Sequence, residues 1–475
     1  MLQLRVTFFI ISNIILLLSS QQIESFSSTP YTRSKFFERS TVLKETKSES
    51  NETPVKRIGI IGTGIAGLSL AHALENVNQN DADPFEIHLF DSRKSMSVKD
   101  GAGIQMNGGM SVLHKINPSL QKKVADSALP LTKIRSRATP WSPLSFVSSL
   151  IYSKGSKNNN NDDFSTLLEF DIEQLIRKAG GEIEKELMIS SNVMSYAIMR
   201  GTLQQILLDE LSESTSKNVN FGKSLMNVLP NESEGQRGII CQFDDGSISG
   251  PFDLVVGCDG IQSTVKEYVE KGKISNKKDR KKRSSAIYSG IRVIFAVQDG
   301  KTKTENDPKS AELRQYFGDG AYGLSGMYGA GSEQAPSRAA FLIFRDENYF
   351  GPFRKSVDNK NRKENVSNVN EAKERNIETA VDENADWTQN VRSNQADPKA
   401  DFIERMQKTS MPSAELTQIV QDADRFFELG VYFHNPLSIN GWKREVKKSG
   451  GKFCVLAGDA ARKFYNYIFL NLSFQ

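Results

Sequence analysis

The residues best placed to do chemistry are three glycines and three acids, each at the end of an apolar run. Ile58 to Ile61 leads into Gly62-Thr63-Gly64-Ile65-Ala66-Gly67. Gly62 permits a sharp turn, Gly64 lets a ligand approach the backbone, and Gly67 lets the following helix lie close to the strand. A helix starting there offers N–H groups and a partial positive charge to an anion, so the spacing points to a dinucleotide pyrophosphate. Phe85 to Phe90 leads into Asp91, about 20 residues beyond the glycines, where an acceptor for a ribose hydroxyl belongs. Asp91 also reads as an ordinary strand-end turn residue.

The other two acids follow the same pattern. Leu254 to Val256 leads into Gly257-Cys258-Asp259-Gly260, and Phe453 to Leu456 leads into Gly458-Asp459. An acid at the carboxyl end of a parallel strand stands where open α/β sheets bind ligands. As a bare dipeptide, Asp259-Gly260 means only a turn. Arg200, between a short strand at Ser195 to Met199 and a helical stripe of Leu203, Ile206, Leu207 and Leu211, suits a phosphate or flavin, or a surface ion pair. Gly103, in the loop Asp100 to Gly109, allows close backbone approach to a flat ligand or marks an ordinary loop.

The elements that must position these residues can be read in outline. The glycine-loop helix has Ala66, Leu70 and Leu74 on one face. A helical pattern through Val112, Leu113 and Ile116 follows the Gly103 loop. Ile239 to Phe243, Asp244-Asp245-Gly246 and the run from Ile248 form a hairpin. Strand-like runs at Ser284 to Val297 and Glu312 to Phe344 suggest an antiparallel sheet, with Tyr322 near a cavity. Ala414 to Phe427 has helix-like patterning. Ser156 to Asp163 and 353–401 are polar, and the latter reads as a flexible insertion or exposed helices.

Composition excludes some classes. With 475 residues and 38% hydrophobic content, the chain can build a large core, and a net charge of +4 argues against nucleic acid as a partner. The basic run Lys271 to Arg283 reads as a solvated loop. Cys241, Cys258 and Cys454 are far apart in sequence, and His72, His88, His114 and His434 lack ligand spacing, so neither a disulfide framework nor a metal site is expected. At the N-terminus, Arg5 and the run Val6 to Leu18 have the order of a signal peptide (1–25). The basic, hydroxyl-rich segment 26–54 resembles a transit peptide. Together they imply plastid import, with the secretory pathway as the alternative, and membrane contact only through this segment or a lipophilic substrate.

Taken together, Gly62 to Gly67, Arg200, Asp253 to Ser263 and Ala457 to Ala461 resemble, in order and separation, the class A FAD-dependent aromatic monooxygenases. That group includes the salicylate and hydroxybenzoate hydroxylases, kynurenine monooxygenase and zeaxanthin epoxidase. The likeness runs from about Lys56 to Ala461. It implies an α/β fold: a Rossmann-like FAD/NAD(P)-binding domain from 55–115, 195–270 and 428–475. An inserted antiparallel β-sheet substrate domain would come from 116–194 and 284–427. By the resemblance Gly62, Gly64, Ile65, Ala66 and Gly67 hold the ADP part of FAD, with Asp91 on its ribose and the backbone of Leu225 at the adenine. Gly103 and Arg200 lie near the rest of the cofactor, Asp259 and Gly260 serve FAD and NAD(P)H, and Asp459 meets the ribityl chain. The implied reaction uses NAD(P)H and molecular oxygen to insert one oxygen atom into an apolar, aromatic or isoprenoid small molecule, the redox chemistry residing in the flavin. No catalytic acid or base can be named. The alternatives are a flavin-dependent reductase or dehydrogenase, and a non-catalytic nucleotide-binding remnant. The last arises because the family continues past Asp459 with a Pro-Pro-x-x-Gly-Gln-Gly loop and a long helix over the flavin, whereas this sequence reads Ala460 to Leu470 and stops at Gln475. A truncated translation is the expected explanation.

Overall fold

The computed structural model describes residues 56–78, 84–138, 165–233, 236–275, 286–345, 398–411, 414–434 and 441–461. The expected targeting segments, the Asn-rich insertion, most of the basic run, residues 353–397 and the stretch from Arg462 onward lie outside them. Pro398, at the end of the polar insertion, opens a helix, Pro398–Lys408. Among the described residues no helix is long and apolar enough to cross a membrane.

A six-stranded sheet carries the glycine turn. Its order is Lys443–Glu445, Phe453–Leu456, Leu254–Gly257, Lys56–Ile61, Phe85–Asp91 and Val219–Phe221. All neighbours run parallel except the edge strand Lys443–Glu445. The first strand is central. The chain passes from it to Phe85–Asp91 on one side, and later strands fill the other. The turn after Ile61 therefore stands at the point where the strand order reverses, where a crevice opens beyond the carboxyl ends. The strands are apolar because both faces are covered: Ile60, Leu68, Leu89, Leu203 and Leu207 belong to one cluster, and Ile61, Phe90, Val255, Phe252 and Cys454 to another.

The second layer is a large sheet whose successive members are Arg425–His434, Ala286–Gln298, Ser337–Arg345, Ala321–Tyr328, Ala311–Phe317, Leu129–Ala138, Tyr196–Met199 and Gly103–Gln105, with Ser165–Asp171 also paired to Leu129–Ala138. It is antiparallel apart from the junction of Ala311–Phe317 with Leu129–Ala138. Helices Pro398–Lys408 and Ala414–Gln421 cover one of its faces, where Phe402, Met406, Leu416 and Ile419 pack on Ile294, Ala340 and Leu342. The hairpin Gly238–Phe243 and Ile248–Phe252 joins Leu225–Asn231 in a separate small sheet.

Four sequence expectations change. The helix from Ala414 stops at Gln421, and Phe426 and Phe427 lie in the strand Arg425–His434, opposite Ala296 and Phe295. Pairing with a neighbouring strand outweighs the local periodicity there. That strand also keeps 428–434 in the large sheet, so the chain re-enters the parallel sheet at Lys443 and not at 428. In the glycine-loop helix, Ile65–Asn78, the fully buried face is Gly67, Leu68, Ala71 and His72, with Ala66, Leu70 and Leu74 at its margin. The face is set by Gly67, which has to meet the strand. Likewise Val112, in helix Gly109–Ile116, points outward at 54% exposure, while Met110 and Leu113 are buried.

Candidate functional site

The glycine turn is fixed by two neighbouring strand ends. Gly62 N–H donates to the Phe90 carbonyl at 2.7 Å, and Cys258 N–H donates to the Ile61 carbonyl at 2.7 Å. Gly62 has φ +104°, and a Cβ there would lie 2.5 Å from the Cys258 carbonyl oxygen, so no other residue fits. A Cβ on Gly67 would lie 1.9 Å from the Gly62 carbonyl oxygen, which shows how closely the helix rests on the turn. Gly64 is different. A Cβ there would meet only the Gln204 side-chain nitrogen, at 4.0 Å. The first helical bond runs from Leu68 N–H to the Gly64 carbonyl at 3.0 Å, so the N–H groups of Ile65, Ala66 and Gly67 precede it. The turn thus combines a bare approach at Gly64 with a helix N-terminus, a combination suited to a pyrophosphate.

Asp91 stands beside this turn and is largely enclosed. Its Oδ2 accepts from Thr63 N–H at 2.8 Å and from the Thr63 hydroxyl at 2.6 Å. Its Oδ1 accepts from the backbone N–H and Nε of Arg93, at 2.9 and 3.0 Å. Burial pushes its carboxyl up, but the Arg93 and Thr63 bonds outweigh that and hold it below the usual carboxylate range. Arg93 also lies 3.6 Å from Asp100, and Asp100 accepts from Ser97 N–H at 3.2 Å. Thr63, Arg93 and Asp100 therefore tie the turn to the Gly101 loop. Sequence reasoning passed over them because nothing in their spacing announces a partner. Gly222 N–H and Lys223 N–H donate to the Arg93 and Asp91 carbonyls, both at 2.7 Å, which carries the chain past Asp91 into the strand that starts at Leu225.

Asp259 does a structural task. Its Oδ2 accepts from Thr264 N–H at 2.6 Å and Val265 N–H at 3.2 Å, capping helix Thr264–Lys271. Its Oδ1 is buried and meets no donor in hydrogen-bonding geometry among the described residues. Burial pushes this carboxyl above its usual range despite those N–H bonds. Gly260, at φ +79°, takes the left-handed turn that lets Asp259 reach back to the helix start.

Asp459 reaches the same place from the third strand. Gly458, at φ +62°, lies so close to the glycine-loop helix that a Cβ would come 2.6 Å from the Ala66 Cβ. Asp459 follows in a short 3-10 turn and is exposed. Arg200, also exposed, starts helix Arg200–Asp209, and its Cδ would lie 3.1 Å from a Cβ on Gly101. The Gly62–Gly67 turn, Asp91, Asp259 with Gly260, and Asp459 therefore meet at one edge of the parallel sheet. The Arg200 helix is brought alongside by a bond between His72 Nε2 and the Leu207 carbonyl at 2.8 Å. Leu225 is buried in the cluster that holds Phe90 and Ile61. At Gly103 a Cβ would enter the Tyr328 ring at 2.2 Å, so the absence of a side chain there makes room for that tyrosine.

The second face of the large sheet reaches the Gly103 loop through Tyr328. Phe295, Phe341 and Leu324 pair across three strands, and two residues along, Val293, Ile343, Tyr322 and Phe317 pair across four. Residues two apart share a face, so these form one apolar, largely aromatic surface. Phe295, Leu324, Ile343, Tyr322 and Phe317 are only partly buried, in contrast to the helix-covered face. Tyr328, on the same face, accepts a hydrogen bond from Gln105 Nε2 at 2.9 Å. A groove of about 270 Å³ lined by Glu75, Phe85, Ser212 and Asn218 opens instead by Phe85, at the amino end of its strand, far from the turn.

Comparison with known proteins agrees with this geometry. No family model matches the chain. The crystal structure of CtdE in complex with FAD aligns over 86% of this chain and 78% of its own, with a TM-score of 0.51 and 12% identity. The chain shares the fold of that FAD-bound protein. A salicylate hydroxylase substrate complex aligns over 86% of this chain and 74% of its own, with a TM-score of 0.47 and 13% identity. In sequence, the dual trans-enoyl reductase/FAD-dependent monooxygenase tazHJ of Aspergillus terreus (strain NIH 2624 / FGSC A1156) is 31% identical over 90 residues, which is 19% of this chain. The match spans 12% of that protein's length.

Proposed function

We propose that this protein binds FAD at the Gly62–Gly67 turn and acts as a flavin-dependent monooxygenase on an apolar small molecule. The observation that carries the reading is the open approach at Gly64, in a turn otherwise closed by Cys258 and Gly67, at the reversal of strand order. The residues fit the cofactor. The N–H groups at Ile65 to Gly67 suit the pyrophosphate, the exposed Asp459 suits a polyol hydroxyl, and Arg200 suits an anionic or carbonyl oxygen. Bound FAD would supply hydride acceptance and the activation of oxygen. The protein's part is to hold it, orient it and keep water from the reacting centre. The aromatic face of Phe295, Phe341, Leu324 and Tyr322 suits an aromatic or isoprenoid substrate, held by apolar burial. NAD(P)H is the proposed reductant and molecular oxygen the co-substrate. Plastid import is proposed from residues 1–54 alone.

The test is direct. Purified full-length protein is expected to bind FAD, to bleach its 450 nm absorbance anaerobically with NADPH or NADH, and to pass one atom of labelled oxygen to substrate. NAD(P)H consumption that yields only hydrogen peroxide across a panel of aromatic and isoprenoid compounds would assign the chain to flavin reductases. Failure to bind FAD would remove both readings.

A further inference from the structure

Gln204 is a buried amide with no stated task. It lies in helix Arg200–Asp209, one turn beyond Arg200, and is 2% exposed. Its Nε2 is enclosed and meets no acceptor among the described residues. Leaving a buried N–H group without an acceptor costs about 1–3 kcal/mol, so packing alone would favour leucine, as at the neighbouring Leu203 and Leu207. The nitrogen is also aimed: it is the nearest atom to the space above Gly64, at 4.0 Å from where a Cβ would stand. It therefore points at the turn that opens the 14-residue helix Ile65–Asn78.

We propose that Gln204 is a cofactor-binding residue, its side-chain amide donating to the pyrophosphate that lies between Gly64 and helix Arg200–Asp209. The proposal rests on the reading of the turn as a dinucleotide site. An anionic oxygen at Gly64 would accept from the helix N–H groups on one side and from Gln204 on the other. The amide is held ready because helix Arg200–Asp209 is fixed to helix Ile65–Asn78 through the His72 bond to the Leu207 carbonyl. A neutral donor suits this position, since a buried lysine would need a counter-charge whenever the site is empty.

The test uses the full chain, stripped of flavin, with Gln204→Leu and Gln204→Met. Both remove the donor and keep the volume, and methionine adapts where leucine does not fit. FAD affinity is read by quenching of flavin fluorescence, and the thermal midpoint of the flavin-free protein is read alongside. The expected result is a 10- to 100-fold weaker FAD dissociation constant, the worth of a hydrogen bond to a charged group. The flavin-free midpoint should be equal to or above wild type, because an unpaired buried N–H has been removed. ADP, used as a competitor, should lose affinity by the same factor. Wild-type FAD affinity in the variants would overturn the assignment of Gln204 while leaving the dinucleotide site standing. Absence of FAD and ADP binding in the wild type would overturn both. A lower midpoint of the flavin-free variants without loss of affinity would make Gln204 a packing residue.

Discussion

Gly64 and Gly67 belong to one motif, yet the structure gives them opposite tasks, and alanine at each separates the two. At Gly67 the new methyl would stand 1.9 Å from the Gly62 carbonyl oxygen. That is roughly 1.5 Å short of an unstrained contact. The oxygen has little room to retreat, because Gly62 is itself pressed against the Cys258 carbonyl. Overpacking of this kind should cost about 3 kcal/mol or more. At about 2–4 °C per kcal/mol for a domain of this size, the melting point of flavin-free protein falls by about 6–12 °C. At Gly64 the new methyl meets nothing nearer than Gln204 Nε2 at 4.0 Å, and the backbone there is not left-handed. The flavin-free midpoint should be unchanged or slightly raised, by the roughly 0.4–1 kcal/mol that alanine gains over glycine through the unfolded chain. FAD affinity should nevertheless fall about 10- to 100-fold, because the methyl occupies the space through which the pyrophosphate reaches the N–H groups. Differential scanning fluorimetry and FAD titration of both variants are sufficient. Undiminished FAD affinity in Gly64→Ala, or an unshifted melting point in Gly67→Ala, would refute the division of labour argued above.

Two further outcomes concern ionisation. Asp259 has a raised carboxyl pKa in the fold, so its contribution is full below about pH 3.8 and is lost as pH rises through the folded value. Asp259→Asn keeps an acceptor for the Thr264 and Val265 N–H groups without the buried charge. It should exceed wild type in denaturant midpoint at pH 7 and match it near pH 4; an equal difference at both pH values would count against the assignment. Glu75 behaves in the opposite sense. Burial raises its carboxyl, but bonds from His72, Ser212 and Thr215 bring it down to about 2 from a reference of 4.5. Its contribution is therefore present above about pH 4.5 and lost towards pH 2. Glu75→Gln should flatten that acid limb by about 1–2 kcal/mol, allowing for partial solvation. Acid unfolding curves that superimpose would show that Glu75 carries no such load.

The parts of the site legible in sequence are those with a backbone requirement. Gly62, Gly67 and Gly458 each stand where a side chain would overlap a neighbouring element, and that constraint leaves a glycine at a fixed distance from an apolar run. The strand-like run ending at Phe344 was legible because it is apolar on both faces, Ala340 and Leu342 on one and Ala339 and Phe341 on the other. What stayed hidden depends on contacts between distant segments. Thr63, Arg93 and Gln204 carry no periodic signal, and sequence cannot reveal Tyr328 packed on Gly103. The strand Arg425–His434 was hidden because its pairing partner lies more than 100 residues away, at Ala286–Gln298.

The surroundings of Asp91 sharpen what the glycine turn requires. A carboxylate offers about four acceptor sites, and Thr63 and Arg93 already direct at least four donors at this one. A ribose hydroxyl can join only by displacing one of them, and the Thr63 hydroxyl and the Arg93 guanidinium are the two that can turn away. The Thr63 N–H cannot turn without moving the peptide between Gly62 and Gly64. With or without a ribose, then, Asp91 holds the turn in shape from its flank, as Cys258 does from the other side. The N–H groups at Ile65 to Gly67 are therefore aimed before any ligand arrives, and binding need not supply the cost of ordering them.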